Sequence, residues 1–174
     1  MRACLRGLAT VLLAVAVACA APASALAQGP TIGVCTGTVT VQFSPPLTPL
    51  PATSGVDLSI ATATLSCTGV LSSLTLTNLT ATDPGGASCT GPIAAQGAGG
   101  LWVDGSTGYS VDWVVSGSAS AQVWTLVDKG SVPAQIVAGG TATWLSSDGP
   151  GVEPCVTSLS AITSVTYTVV LAVG

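Results

Sequence analysis

The chain predicts an all-β fold, first an antiparallel β-sandwich of immunoglobulin-like layering and, as the alternative, a small β-barrel. Three observations carry that expectation. Short segments alternate apolar and hydroxyl-bearing residues with the period of a half-buried strand, as in Thr38, Thr40 and Gln42 against Val39, Val41 and Phe43. Clusters of Gly, Pro, Asn and Asp separate these segments. No stretch shows a sustained helical period with caps.

Residues 1–27 read as a signal peptide: Arg2 and Arg6 make a basic start, residues 8–18 are an apolar run, and Ala25-Leu26-Ala27 supplies a cleavage site. A lipid-anchored alternative would use Cys19 after Ala16-Val17-Ala18, although a leucine is more usual where Ala16 stands. Cleavage after Ala27 leaves residues 28–174 as a single secreted domain, long enough to bury a core.

Along that domain the first strand starts at Cys35 and runs to Phe43, and the prolines of residues 44–51 form a rigid hairpin loop. A second strand, residues 55–67, ends in Cys67, so folding the two together about Pro51 sets Cys35 opposite Cys67. Val56, Leu58 and Ile60 share one parity and Ala61, Ala63, Leu65 and Cys67 the other, which predicts a bulge near Ile60 and Ala61 that puts both sets inside. A third strand, residues 71–81, offers Leu74 and Leu76 to the core and ends at Asp83-Pro84-Gly85-Gly86. Residues 89–100 are rich in Gly and Ala without pattern, and read as a connection. Residues 101–115 read as a second hairpin turning at residues 105–108, with Tyr109, Val111, Trp113 and Val115 on one face. Residues 119–128 set Val123, Thr125 and Val127 against Trp124 and Leu126; residues 136–145 suggest one or two short strands interrupted at Gly139-Gly140. The last strand buries Val165, Tyr167, Val169, Leu171 and Val173. The C-terminal run is too short and too rich in Thr to span a bilayer, so no integral membrane segment is expected after cleavage.

Cys4 and Cys19 leave with the leader, and the even set Cys35, Cys67, Cys89 and Cys155 remains in an oxidising setting. Four cysteines allow three connectivities. The hairpin symmetry favours Cys35 with Cys67, leaving Cys89 with Cys155.

Once Arg2 and Arg6 are removed, Lys129 is the only basic side chain against seven carboxylates. Nucleic acid is therefore excluded as a partner, since phosphate binding depends on clustered Lys and Arg, and anionic membrane surfaces are disfavoured for the same reason. The chain has no histidine, which removes the commonest general base and the usual zinc ligand. No cysteines stand at metal-site spacing, and Asp104-Gly105-Ser106 and Asp148-Gly149 each offer a hard cation a single carboxylate. No cofactor or metal is expected. Lys129 with Ser131 reads as a turn rather than a catalytic pair. Carboxylate catalysis would fall to Asp104 and Asp112, which flank the Trp hairpin; the simpler reading makes both solvent-facing residues that keep the hairpin soluble.

The order Cys-Thr-Gly-Thr-x-Thr-Val from Cys35, then Ser-Pro-Pro-Leu-Thr, a strand ending in Cys67, a Trp-containing hairpin and Cys155 before a last Thr-rich strand resembles a group of small secreted, two-disulfide proteins of high-GC Gram-positive bacteria. The resemblance implies export, disulfides and a β-fold, and brings no catalytic residue.

The aromatic residues are the remaining clue. Trp102 and Trp124 have the parity opposite to their aliphatic neighbours, and Trp144 lies near a strand end. With the aliphatic faces inside, these three indoles would form a ligand platform; the competing reading packs them in the interior. The expected role is therefore a non-enzymatic extracellular domain of structural or interaction type, for a protein or glycan partner. The alternative is a carbohydrate-binding module using exposed Trp.

Overall fold

The computed structural model describes residues 31–132, 135–148 and 161–174. Its strands, in chain order, are β1 (Gly33–Leu47), β2 (Val56–Gly69), β3 (Ser73–Asp83), β4 (Pro92–Val103), β5 (Thr107–Ser118), β6 (Ala121–Asp128), β7 (Gln135–Ser147) and β8 (Ile162–Val173). Each pairs antiparallel with the next, and β1 pairs with β8 from Gly33↔Val173 to Gln42↔Ser164. The molecule is a closed up-and-down barrel. The sandwich expectation is thus corrected in favour of the barrel alternative. Alternation alone does not separate the two, because both architectures bury one face of every strand. What decides is the long β1–β8 ladder, which leaves neither terminal strand as an open edge.

The interior is apolar and filled from every strand. Val39, Val41, Leu58, Leu74, Leu76, Leu101, Val111, Trp113, Leu126, Tyr167 and Leu171 are all buried. The outer face is hydroxyl-bearing. Thr40 and Thr166 meet across β1 and β8 with 2.9 Å between their hydroxyl oxygens, Thr64 and Thr75 across β2 and β3 at 3.1 Å, and Thr38 stands opposite Thr168. Threonine suits this position because it favours the extended backbone and presents a polar group without charge. The sidedness is the reverse of a lipid-spanning barrel, which turns its apolar residues outward. No helix among the described residues is long and apolar enough to cross a membrane.

Several local expectations hold. Cys35 and Cys67 are direct partners in the β1–β2 ladder and are joined by a disulfide. The phase change in β2 is present: Val56, Leu58 and Ile60 are buried, the burial then moves to Leu65, and the β1–β2 register shifts between Thr36 and Gln42. Strand β3 changes phase with it, passing from Leu74 and Leu76 to Leu79 and Ala81 at Asn78, whose φ is +48°. Both strands therefore keep their large apolar residues inside as the barrel wall bends, whereas Ala61, expected inside, is exposed and Ala63 is partly buried.

Others are corrected. Most of the Gly-Ala stretch before Leu101 is strand β4 rather than a connection, paired along its length with β5. Its glycines are needed for close approach: a Cβ at Gly97 would fall inside the contact radius of the Thr80 carbonyl oxygen. Residues 135–147 form one continuous strand across Gly139-Gly140, where a Cβ on Gly140 would collide with the Val170 carbonyl oxygen. In β6 the face is inverted, with Trp124 and Leu126 buried and Val123 and Val127 half-exposed. Burying the indole removes far more apolar surface from water than burying valine, so the aromatic parity wins.

The two barrel ends differ. At one end lie the longer β1–β2 and β3–β4 connections, tied together by the Cys89 amide donating to the Thr48 carbonyl at 3.0 Å, with Ala87 and Ser88 buried beneath them. Cys89 is disulfide-bonded; its expected partner, Cys155, lies outside the described residues. At the other end are the β2–β3, β4–β5 and β6–β7 turns together with Ile32 and Gly174, where the Ile32 amide donates to the Val173 carbonyl at 2.8 Å.

Candidate functional site

The acidic side chains are the first place to look for chemistry, and each described one has an architectural partner. Asp104 sits in the β4–β5 turn with φ +49°, and its Oδ1 accepts from the Ser72 amide at 2.8 Å, the Ser72 hydroxyl at 2.8 Å and the Ser73 amide at 2.9 Å. It clamps the start of β3 to the neighbouring turn. Buried Asp83 accepts from the Gly85 amide at 2.8 Å and the Ala94 amide at 3.0 Å, joining β3 to β4. Asp148 accepts from the amides of Thr163 and Ser164 and from the Thr163 hydroxyl, fastening the loop after β7 to β8. Asp57 receives the Thr82 hydroxyl at 2.6 Å, Asp128 the Gly130 amide at 3.0 Å, and Asp112 pairs with Lys129 at 3.1 Å. Asp104 and Asp112, the sequence candidates for paired catalysis, are thus committed separately. No group of three His, Cys, Asp or Glu among the described residues is placed to hold a metal ion.

The hydrogen bonds leave an electrostatic signature. The Ser73 amide, the Ser72 hydroxyl and the Ser72 amide hold the Asp104 carboxyl below the usual carboxylate range. At Asp148 partial desolvation pushes upward but is outweighed by the donors from Thr163 and Ser164, and the net shift is also downward. A carboxylate with a depressed folded-state pKa contributes stability above its unfolded value and loses it as the pH falls through the folded value. The barrel is therefore expected to lose thermal stability from the ordinary carboxylate pKa of 3.8 downward. Following the unfolding midpoint against pH checks this: the double variant Asp104→Asn, Asp148→Asn should start less stable at neutral pH and show a shallower acid decline.

The three predicted platform residues do not lie together. Trp124 is fully buried, its indole N–H donating to Gln122 Oε1 at 2.7 Å. Gln122 Nε2 donates to the Tyr167 hydroxyl at 2.9 Å, and that hydroxyl donates to the Ala119 carbonyl at 2.9 Å, closing a satisfied polar chain inside the barrel. Burial pushes the Tyr167 phenol above its ordinary pKa. Trp144 is half-buried and packs edge-on to Tyr167 at 6.5 Å, while Trp113 packs edge-on to Trp124 at 5.3 Å. Trp124 is therefore a core residue and Trp144 packs against the core from its edge, and the shared platform is corrected.

Trp102 alone of the three is on the outer face, 44% exposed. It stands opposite Gly108 in the β4–β5 ladder, and a Cβ on that glycine would meet the six-membered ring of the indole at 3.0 to 3.1 Å. The indole lies across a strand position with no side chain, which accounts for its fixed placement. Beside it is a shallow pocket of about 320 Å³ bordered by Gly99, Gly100, Tyr109 and Ser110. A second depression, of about 370 Å³, runs over β2, β3 and β4 among Asp57, Ser59, Thr80, Thr82 and Gln96. Sequence reasoning missed this one because its members come from three strands whose register only the barrel defines.

No protein-family model, curated protein or solved structure matches this chain.

Proposed function

We propose that the protein is an exported, non-catalytic β-barrel whose outer surface and ends serve structural or interaction roles outside the cell. The observation that carries this reading is the engagement of all six described aspartates in clamping turns, bridging strands or pairing with Lys129. General acid–base hydrolysis needs two carboxylates facing a common cleft and free to exchange protons with substrate, and this arrangement favours architecture instead. The leader, the disulfides and the uncharged Thr-rich exterior support export. A panel of chromogenic glycosides and peptides tests the reading. No turnover is expected, whereas turnover that disappears in an Asp104→Asn, Asp112→Asn variant would overturn it.

A second reading, carbohydrate binding, is favoured by one observation: the Trp102 indole is half-exposed beside a shallow pocket that Ser110 also borders. A flat aromatic face with a hydroxyl neighbour is what stacking on a sugar ring requires. If it operates, co-sedimentation with insoluble polysaccharides should weaken by about tenfold in Trp102→Ala, the loss of roughly one stacking contact. Trp124→Ala is no control for it, because that residue supports the core.

A further inference from the structure

Three depressions of the outer wall line up along one strand. The outward positions of β4 are Ala94, Gln96, Ala98, Gly100 and Trp102. The depressions border, in order, Ala94 and Gln96 (about 340 Å³), Gln96 and Gly97 (about 370 Å³), and Gly99, Gly100 and Trp102 (about 320 Å³). A barrel wall is convex, so a hollow in it needs a strand whose outward side chains are shorter than its neighbours'. Between Gln96 and Trp102 only Ala98 and Gly100 point outward, while Thr80 and Thr77 stand beside them on β3 and Asp112 and Ser110 on β5. The polar groups concentrate at one end of this trough. Asp57, Thr82 and Gln96 are in register across β2, β3 and β4, and Ser59, Thr80 and Ala98 form the next row. Asp57 Oδ1 accepts from the Thr82 hydroxyl, which fixes the carboxylate, whereas the Gln96 amide and the Ser59 and Thr80 hydroxyls make no side-chain hydrogen bond among the described residues. The Trp102 indole lies at the other end, six positions from Gln96, or about 20 Å along the strand.

We propose that this trough binds a linear, uncharged polysaccharide, with Trp102 stacked on one sugar ring and Asp57, Gln96, Ser59 and Thr80 hydrogen-bonded to the hydroxyls of another further along the chain. The proposal rests on the carbohydrate reading above and extends it from one stacking contact to two separated contacts with a single ligand. The chemistry of the trough selects this ligand over others. An added peptide strand needs free backbone groups, and β4 is paired with β3 on one side and β5 on the other. Nucleic acid needs clustered Lys and Arg, and Lys129 is engaged by Asp112. An amphipathic helix needs an apolar groove, and these walls carry hydroxyls and carboxylates. A polyhydroxylated chain fits both ends. The carboxylate accepts from one sugar hydroxyl while the primary amide beside it can donate to or accept from the next, and the exposed indole offers a flat apolar surface to a ring face. The Asp57 carboxylate also opposes a chain of uronic acids by like-charge repulsion.

The test is co-sedimentation of the protein with insoluble cellulose, xylan, mannan and chitin, followed by calorimetric titration with the hexasaccharide and the disaccharide of each polymer that binds. At least one polymer should bind, and its hexasaccharide should bind at least about tenfold more tightly than its disaccharide, because only the longer chain reaches both ends. Asp57→Ala, Gln96→Ala should weaken hexasaccharide binding by about tenfold or more. Ala98→Leu raises the floor midway and touches neither end, and it should weaken the hexasaccharide to about the disaccharide's affinity. Both variants change outward side chains only, and circular dichroism should show the parental fold. Hexasaccharide binding that Trp102→Ala abolishes and these two variants leave at parental strength overturns the trough, while the single-contact carbohydrate reading stands. Equal affinity for hexasaccharide and disaccharide has the same consequence. Binding to none of the four polymers overturns both, and polygalacturonate binding as tightly as the neutral chain overturns the proposal. The non-catalytic reading is decided separately, by the substrate panel.

Discussion

Trp124→Ala is expected to destabilise the barrel by about 4 kcal/mol, a large share of the 5 to 15 kcal/mol that holds a typical domain folded. Trp124 is among the largest fully buried side chains and meets Trp113 at 5.3 Å and Tyr167 at 6.2 Å between ring centroids. Truncation removes the transfer free energy of the indole, leaves a void between two aromatic rings that cannot collapse into it, and strips Gln122 Oε1 of its donor. Trp124→Phe separates these contributions. It keeps a ring in place and loses the N–H and some volume, so a cost of about 1 to 2 kcal/mol is expected. Urea unfolding of the three proteins measures the series, and an alanine variant within about 1 kcal/mol of the parent would mean that the indole is not in the interior.

Removing the Cys35–Cys67 disulfide is the second large effect. The bond closes a sequence separation of 32 residues, and the chain-entropy model gives about 4 kcal/mol for such a loop. Because the two residues are direct partners in the β1–β2 ladder, the cross-link constrains the unfolded chain while the folded register is set by the strands themselves. The Cys35→Ala, Cys67→Ala double variant should therefore fold to the same barrel, unfold at lower denaturant, and show a steeper dependence on denaturant as its unfolded state expands. A change in the folded-state spectrum would instead assign the bond a role in shaping the native barrel.

The parts of this fold that were legible in the sequence are those written in local alternation. Val39, Val41, Leu74, Leu76, Val111, Trp113, Val165 and Tyr167 are buried where their parity places them, and the Cys35–Cys67 opposition follows from the hairpin alone. Closure was not legible. Whether β8 returns to pair with β1 is a matter of the whole sheet's twist and stagger, which no single segment encodes. Strand β4 was missed because Gly97, Gly99 and Gly100 carry no side chains from which to read a period. The inversion of β6 had a signal, since an indole beside valines competes for the interior and wins on area, but parity was read from the aliphatic residues. The candidate platform failed with it. The parity of Trp102 against its inward neighbour Leu101 pointed the indole outward, and of the two readings open for it the structure has the half-exposed one.

The closed barrel is tested most directly by amide hydrogen exchange along β1. Closure gives this strand β8 as a continuous partner from Gly33 to Gln42, so the amides directed to β8 over that stretch should be slow and match Thr166 to Val170 in protection, as should those paired with β2 from Gly33 to Thr36 and from Gln42 to Ser44. Fast exchange of the alternate β1 amides that face β8, with the β2-facing set protected, would leave an open sheet edge and contradict the account.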